Sequence, residues 1–192
     1  NFATFAGHKG FLAPQGIGGL CINSSVIPKP LMYGGTGTNS IELIQPENLP
    51  ERLESGTVAT PLISALAEGI KYVNKHFEKN NYKVQKLTFY LLTKLKEIEG
   101  IEIYTIPSSH YGVVSFNMIN YTSSEVSDFL DENFNIATRG GLHCAPLTHK
   151  FLGTVEKGAV RVSLNFKNTK RQINTLIKAL KKLNSCKLNE EV

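Results

Sequence analysis

The chain has 192 residues, of which 41% are hydrophobic and 19% charged. That balance excludes a disordered chain and leaves enough length to bury a core in one or two domains. No run approaches the roughly 20 consecutive apolar residues that a membrane-spanning helix needs, so a soluble protein with no membrane partner is expected. A net charge of +5 raises the question of nucleic-acid binding. The lysines, however, are strung along helix-like segments (Lys71, Lys75, Lys79, Lys83, Lys86), with no base-reading or zinc-finger motif beside them. Solvated helix faces account for them, and no nucleic-acid partner is expected.

Cys21, Cys144 and Cys186 are odd in number and widely spaced, with no CxxC pair. They form neither a disulfide framework nor a structural metal site, and a reducing cytoplasm is the expected compartment. The chain opens Asn-Phe-Ala-Thr, without an initiator Met or a signal-like core, and is at once dense in motifs. An upstream part is therefore expected to be missing.

In chain order, the first sixty residues are rich in Gly and Pro and predict loops and short strands. Gly16 to Asn23 reads as a buried strand containing Cys21, after a turn at Pro14. Thr60-Pro61 marks a helix start, with Thr as the cap, followed by Leu62, Ile63, Leu66, Ile70, Val73 and Phe77 at helical spacing. A second helix carries Val84, Leu87, Leu91, Leu95 and Ile98 and stops at Gly100. Strands are expected at 101–105, 112–117, 135–138 and 159–164. Thr122 and Glu125 read as a capping box before Val126, Phe129 and Leu130, and Thr169 and Gln172 cap a last helix through Ile173, Leu176, Ile177 and Leu180. The fold class is α/β, with a break near residues 75–85. The predicted division is 1–79, 80–186 and a tail, 187–192.

Four groups of residues carry chemistry. FAGHKGFLAPQGIGG (5–19) holds Lys9 between glycines that let a backbone approach a ring or phosphate, with His8 as a phosphate donor; a surface lysine is the competing account. YGGTGTNS (33–40) and ESGT (54–57) offer backbone N–H groups and hydroxyls to an anion, or are simply turns. RGGLHCAPL (139–147) places Cys144 beside His143 and near Arg139, where positive charge favours thiolate; Pro146 and the glycines suggest an exposed loop, and a buried structural cysteine is the alternative. Arg161, inside the apolar strand AVRVSLNF, needs an anionic partner: a substrate carboxylate bound bidentately, or a structural salt bridge.

Taken together and in this order, GHKGFLAPQGIGGL, YGGTGTNS, ERLESGT, RGGLHCAPL and GAVRVSLNFKNT resemble the class V, fold-type I enzymes that use pyridoxal phosphate, and within them the cysteine desulfurase and selenocysteine lyase branch. The resemblance runs to about Lys182. It implies the last part of a large cofactor-binding α/β domain followed by a complete small α/β domain. By the same resemblance Lys9 holds pyridoxal phosphate covalently and moves the substrate Cα proton, and His8 contacts the phosphate. Thr57 reaches the cofactor of a neighbouring subunit, with Gly35 at the same shared site, which implies a homodimer. Arg161 grips the substrate carboxylate, Arg139 and His143 line the mouth, and Cys144 takes sulfur from an amino acid such as cysteine as a persulfide, to be passed to an acceptor protein.

Two departures accompany the resemblance. Ala6 stands where many relatives carry a phosphate-touching Ser. The family's ring-stacking His, the acid at the pyridine nitrogen and the main phosphate loop lie upstream of the lysine, so the expectation is that this polypeptide alone binds cofactor poorly and lacks useful activity. Two other readings remain: an aminotransferase or lyase of the same family that never uses Cys144 covalently, and a non-enzymatic small domain or truncation product acting only by association.

Overall fold

The segments FATFA and GGLCI are short, weakly alternating and suited to extended backbone. In the computed structural model, which describes residues 1–38, 41–106 and 112–188, they pair antiparallel as β1 (Phe2–Ala6) and β2 (Gly18–Ile22), with Phe2 opposite Ile22 and Ala6 opposite Gly18. The expectation that β2 is buried fails: Leu20 is 46% exposed and Cys21 is exposed. A two-stranded ribbon presents both faces, and Gly18 and Gly19 bring no side chain to pack under a further layer. Asn39 and Ser40, the end of the YGGTGTNS segment, lie outside the described residues.

The chain divides into two compact units, Asn1–Phe77 and Glu78–Val192. One helix, α1 (Thr60–Leu95), contributes to each. Two helices had been expected here, but no Gly or Pro interrupts Ile70 to Leu95, and Asn80-Asn81 is a weak helix former rather than a breaker, at a cost of about 0.7 kcal/mol per residue or less. The start also shifts by one residue. Thr60 is already helical, and the carbonyl of Ala59 accepts the first bond, from Ile63 N at 3.0 Å. In the first unit Leu66 is buried, whereas Ile63 and Phe77 are exposed despite their helical spacing.

The second unit is built on an antiparallel sheet of order β3 (Ile101–Ile103), β4 (Val113–Met118), β5 (Val160–Ser163). Alternation sorts its faces. Val114, Phe116, Met118, Val160 and Val162 are buried in the core, while Ser115 and Arg161, in register with one another, point the other way. Leu87, Leu91 and Leu95 of α1, Val126 and Leu130 of α2 (Ser123–Phe134), and Ile173 and Leu180 of α4 (Lys170–Leu188) complete that core. Each such side chain, fully buried, contributes about 2 kcal/mol.

Both expected capping boxes form. Thr122 and Glu125 satisfy one another's backbone at the start of α2, and Thr169 and Gln172 do so before α4, at 3.0 and 3.3 Å. The strand expected at 135–138 does not form. Asn135 caps α2 in the left-handed conformation, φ 52, and Ile136 N bonds back to Leu130 O, so the chain turns before it can pair. Only Arg139 reaches the sheet, as an isolated bridge to Arg161. Where a loop was expected, Pro146 instead opens a short helix, α3 (Pro146–Leu152). No helix among the described residues is long and apolar enough to cross a membrane.

Candidate functional site

The lysine-bearing turn is anchored at its base and open at its tip. Gly7 N donates to Ile17 O at 2.8 Å, Ala13 N donates to Gly7 O at 3.0 Å, and Leu12 N donates to Lys9 O at 3.1 Å. Gly7 is buried, and a Cβ there would meet Ile17 at 2.9 Å, so glycine is what lets the two limbs close. Phe5 and Phe11 pack edge to face across the turn, with ring centroids 4.8 Å apart. Gly69 of α1 lies so close to the Phe11 carbonyl that any side chain would strike it. His8, Lys9 and Gly10 are exposed above this base, and a Cβ on Gly10 would meet nothing within 4 Å.

Gly35 and Thr57 come together in the same unit. Gly56 N donates to Gly35 O at 2.8 Å. Gln45 bridges the same two segments, accepting from Gly34 N at 3.2 Å and donating to Glu51 O at 2.9 Å. No hydrogen bond among the described residues ties this pair to Lys9.

Arg139, His143, Cys144 and Arg161 form one cluster in the second unit. Arg139 N donates to Arg161 O at 3.1 Å and Arg161 N donates to Arg139 O at 2.8 Å. Residues that exchange both bonds stand directly opposite and send their side chains to one side. The Arg161 Nε is buried without a hydrogen-bond partner, and among the described residues neither arginine pairs with a carboxylate. Among the described residues no carboxylate therefore provides the structural salt bridge considered for Arg161.

From Arg139 the chain rises into an exposed loop. His143 and Cys144 both adopt left-handed backbone, φ 53 and 58, and Ala145 N donates to Leu142 O at 2.8 Å before α3 begins. The Cys144 thiol is free and exposed, and Arg139 Nη2 donates to its Sγ at 3.4 Å. His143 Nε2 lies 2.9 Å from the Arg139 carbonyl. A carbonyl can only accept, so Nε2 carries the hydrogen and Nδ1 keeps its lone pair in the neutral ring. Burial pushes the His143 pKa down, and nearby Arg161, His149 and Arg139 add to this against the opposing pull of the carbonyl bond.

Three supporting residues escaped the sequence analysis. His149 is buried, with Nδ1 2.8 Å from Thr154 Oγ1 and its ring edge-on to His143. Asn117 donates to Gly158 O at 2.8 Å and to Tyr104 Oη at 3.2 Å; Tyr104 in turn donates to Glu102, and burial together with that carboxylate pushes its pKa up to about 12. Ser123, buried at the start of α2, accepts from Gly141 N at 3.0 Å. Asn117 could have been found as a polar residue inside an otherwise apolar strand, whereas Ser123, in the largely polar run SSEVSDFLDENF, carries no such signal.

An exposed thiol under a guanidinium and two facing arginines that, among the described residues, have no acid partner give the second unit a polar, anion-seeking cluster, and the first unit carries the anchored, open lysine. The chain belongs to the class-V aminotransferase family, whose model matches residues 1–176. It is 34% identical over 192 residues to a "Probable cysteine desulfurase" of Methanothermobacter thermautotrophicus, covering 95% of this chain and 47% of that protein. A protein of the same name from Staphylococcus aureus is 34% identical over 94% of this chain and 44% of its own length. The fold matches the apo structure of a cysteine desulfurase from Thermococcus onnurineus at TM-score 0.86 and 31% identity, over 95% of this chain and 46% of that one. The chain thus spans about half the length of the curated relatives it matches, and the α/β class and family read from its motifs are borne out.

Proposed function

We propose that this chain supplies the lysine- and thiol-bearing share of a pyridoxal-phosphate-dependent cysteine desulfurase. The observation that carries the reading is the pair of facing arginines with no acid partner, one of them donating to an exposed thiol. Two fixed cations without a described acid partner favour an anionic visitor on one and a hydrogen bond to the Cys144 sulfur on the other.

The residues fit the cofactor. Lys9 projects from a turn whose base is closed by Gly7 and whose tip has open space at Gly10, room for a ring beside the amine. His8, next to it and exposed, would donate to a phosphate oxygen. Lys9 would hold the group covalently and, once released by substrate, move the proton at the substrate Cα. When bound, pyridoxal phosphate would supply an electron sink for the charge developed on the substrate carbon.

Arg161 would orient the amino acid by its carboxylate, and Arg139 would hold the Cys144 sulfur through its bond to Sγ. Cys144 Sγ then attacks the substrate sulfur. The S–S bond forms, the substrate Cβ–S bond breaks, and its electron pair leaves with the carbon fragment, which takes a proton and departs as alanine. The persulfide on an exposed loop is accessible to an acceptor protein. Thr57 and Gly35, joined through Gly56, would serve the cofactor of a second subunit in a homodimer, and a reducing cytoplasm suits a free thiol in this role.

Borohydride reduction of the full-length protein that carries this chain, incubated with pyridoxal phosphate and followed by peptide mapping, tests this directly. Label should concentrate on Lys9 and vanish in Lys9→Ala. Even labelling across the surface lysines would overturn the assignment.

A further inference from the structure

The loop that carries Cys144 is exposed at its tip and pinned at its root, and one buried hydroxyl takes part in the pinning. Ser123 Oγ donates to Lys157 O at 2.6 Å and accepts from Gly141 N at 3.0 Å. Its backbone N also donates to Lys157 O, at 3.3 Å. Three stretches of chain meet at this point: the start of α2, the root of the cysteine loop and the segment that leads into β5. They meet too closely for side chains. A Cβ on Gly140 would lie 2.6 Å from Ser123 O, and one on Gly158 would lie 2.6 Å from Gly141 Cα and 2.7 Å from Ser123 Oγ. Ala159 N donating to Gly141 O at 3.1 Å closes the junction.

We propose that Ser123 is a positioning residue for Cys144, its hydroxyl fixing Gly141 so that the loop delivers the thiol beside Arg139. The proposal rests on Cys144 being the sulfur-accepting group, and it is specific about the means. At the tip, His143 bonds the Arg139 carbonyl, but Cys144 itself reaches the body of the unit through Arg139 alone among the bonds described. With the root released, Arg139 and Cys144 no longer keep their separation. Ser123 itself, 2% exposed, touches neither thiol nor substrate, so its influence passes through Gly141.

Three variants separate positioning from plain stability. Ser123→Ala removes the hydroxyl, Ser123→Thr keeps it, and Thr122→Ala weakens the same helix start by removing its cap without touching Gly141. In Ser123→Ala, amide exchange at Gly141 should quicken about fivefold, the factor expected from one lost hydrogen bond of ordinary net strength, and the alkylation rate of Cys144, followed by peptide mass, should change about as much. Ser123→Thr should restore both, and Thr122→Ala should leave both near the parent values. Unchanged Gly141 exchange and Cys144 alkylation in Ser123→Ala, or equal changes in Thr122→Ala, would sink the proposal. If Ser123→Ala does not fold, the parent chain still decides, because a Gly141 amide that exchanges as fast as an unprotected one rules the clamp out. Should the clamp hold while no persulfide ever forms on Cys144 with L-cysteine, the desulfurase reading fails and the positioning role stands.

Discussion

Arg139 and Arg161 face one another across a bridge in which each backbone N–H donates to the other's carbonyl, at 3.1 and 2.8 Å. Like charges set directly opposite on neighbouring strands repel, and here the Arg161 Nε is in addition buried without a partner. An arrangement that costs stability and offers two cations to one side suits the carboxylate-binding role proposed for Arg161, and it sets up the first prediction.

Replacing Arg161 by Met should stabilise the second unit while removing its capacity for a carboxylate. Relieving one buried unsatisfied donor is worth about 1 kcal/mol, which in a unit of this size raises the melting temperature by about 4 °C. Calorimetry of Arg161→Met against the parent checks this. A fall of similar size would mean that the guanidinium has a structural partner after all.

Arg139→Gln should slow alkylation of Cys144. The guanidinium donates to Sγ at 3.4 Å, and a charged donor to a thiolate is roughly twice as strong as a neutral one, so a rate loss of about fivefold is expected at neutral pH. Iodoacetamide kinetics read at the Cys144 peptide measure it, and an unchanged rate would show that the contact does not act on the thiol.

Acid should weaken the second unit through His143. Burial above all holds its pKa below the ordinary imidazole value, so the unfolded chain binds the proton more readily than the folded one. The stability tied to the neutral ring is complete above the unfolded value and is lost as pH falls through it towards the lower folded one. Denaturant melts at pH 7.5 and 5.5 should therefore diverge, and His143→Gln should narrow the gap. A gap of the same width in the variant would place the titration elsewhere.

Gly69→Ala should disturb the lysine turn from a distance along the chain. Its Cβ would strike the Phe11 carbonyl, and Phe11 packs on Phe5 at the base of the same turn. Overpacking of this kind costs about 1–3 kcal/mol. Borohydride trapping at Lys9 should fall in the variant, and undiminished trapping with a normal melt would show that the helix gives way instead.

Much of this molecule was readable from local rules. The capping boxes at Thr122 and Thr169 obey them, because both partners lie within one helical turn. Where the reading went wrong, the deciding partner lay elsewhere. Residues 135–138 have the composition of a strand, yet Asn135 can turn left-handed, and Leu130 supplies the acceptor that Ile136 needs. The helix from Pro146 was hidden because the glycines before it suggested a loop throughout. Residue types singled out Lys9, Cys144 and Arg161 as candidates, but the confrontation of Arg139 with Arg161 depends on sheet pairing and the junction at Ser123 on three distant segments, neither of which any window of sequence displays.

The paired positive φ angles at His143 and Cys144 bear on which substitutions the loop will accept. Neither residue is a glycine, and each held in that region carries a penalty of about 1 kcal/mol relative to one. An engineer seeking a hardier protein would be drawn to put Gly-Gly there and would succeed, at the expense of the imidazole and the thiol together. The tip is thus a spot where sturdiness and chemistry pull against each other, and the chain carries the side chains rather than the relief.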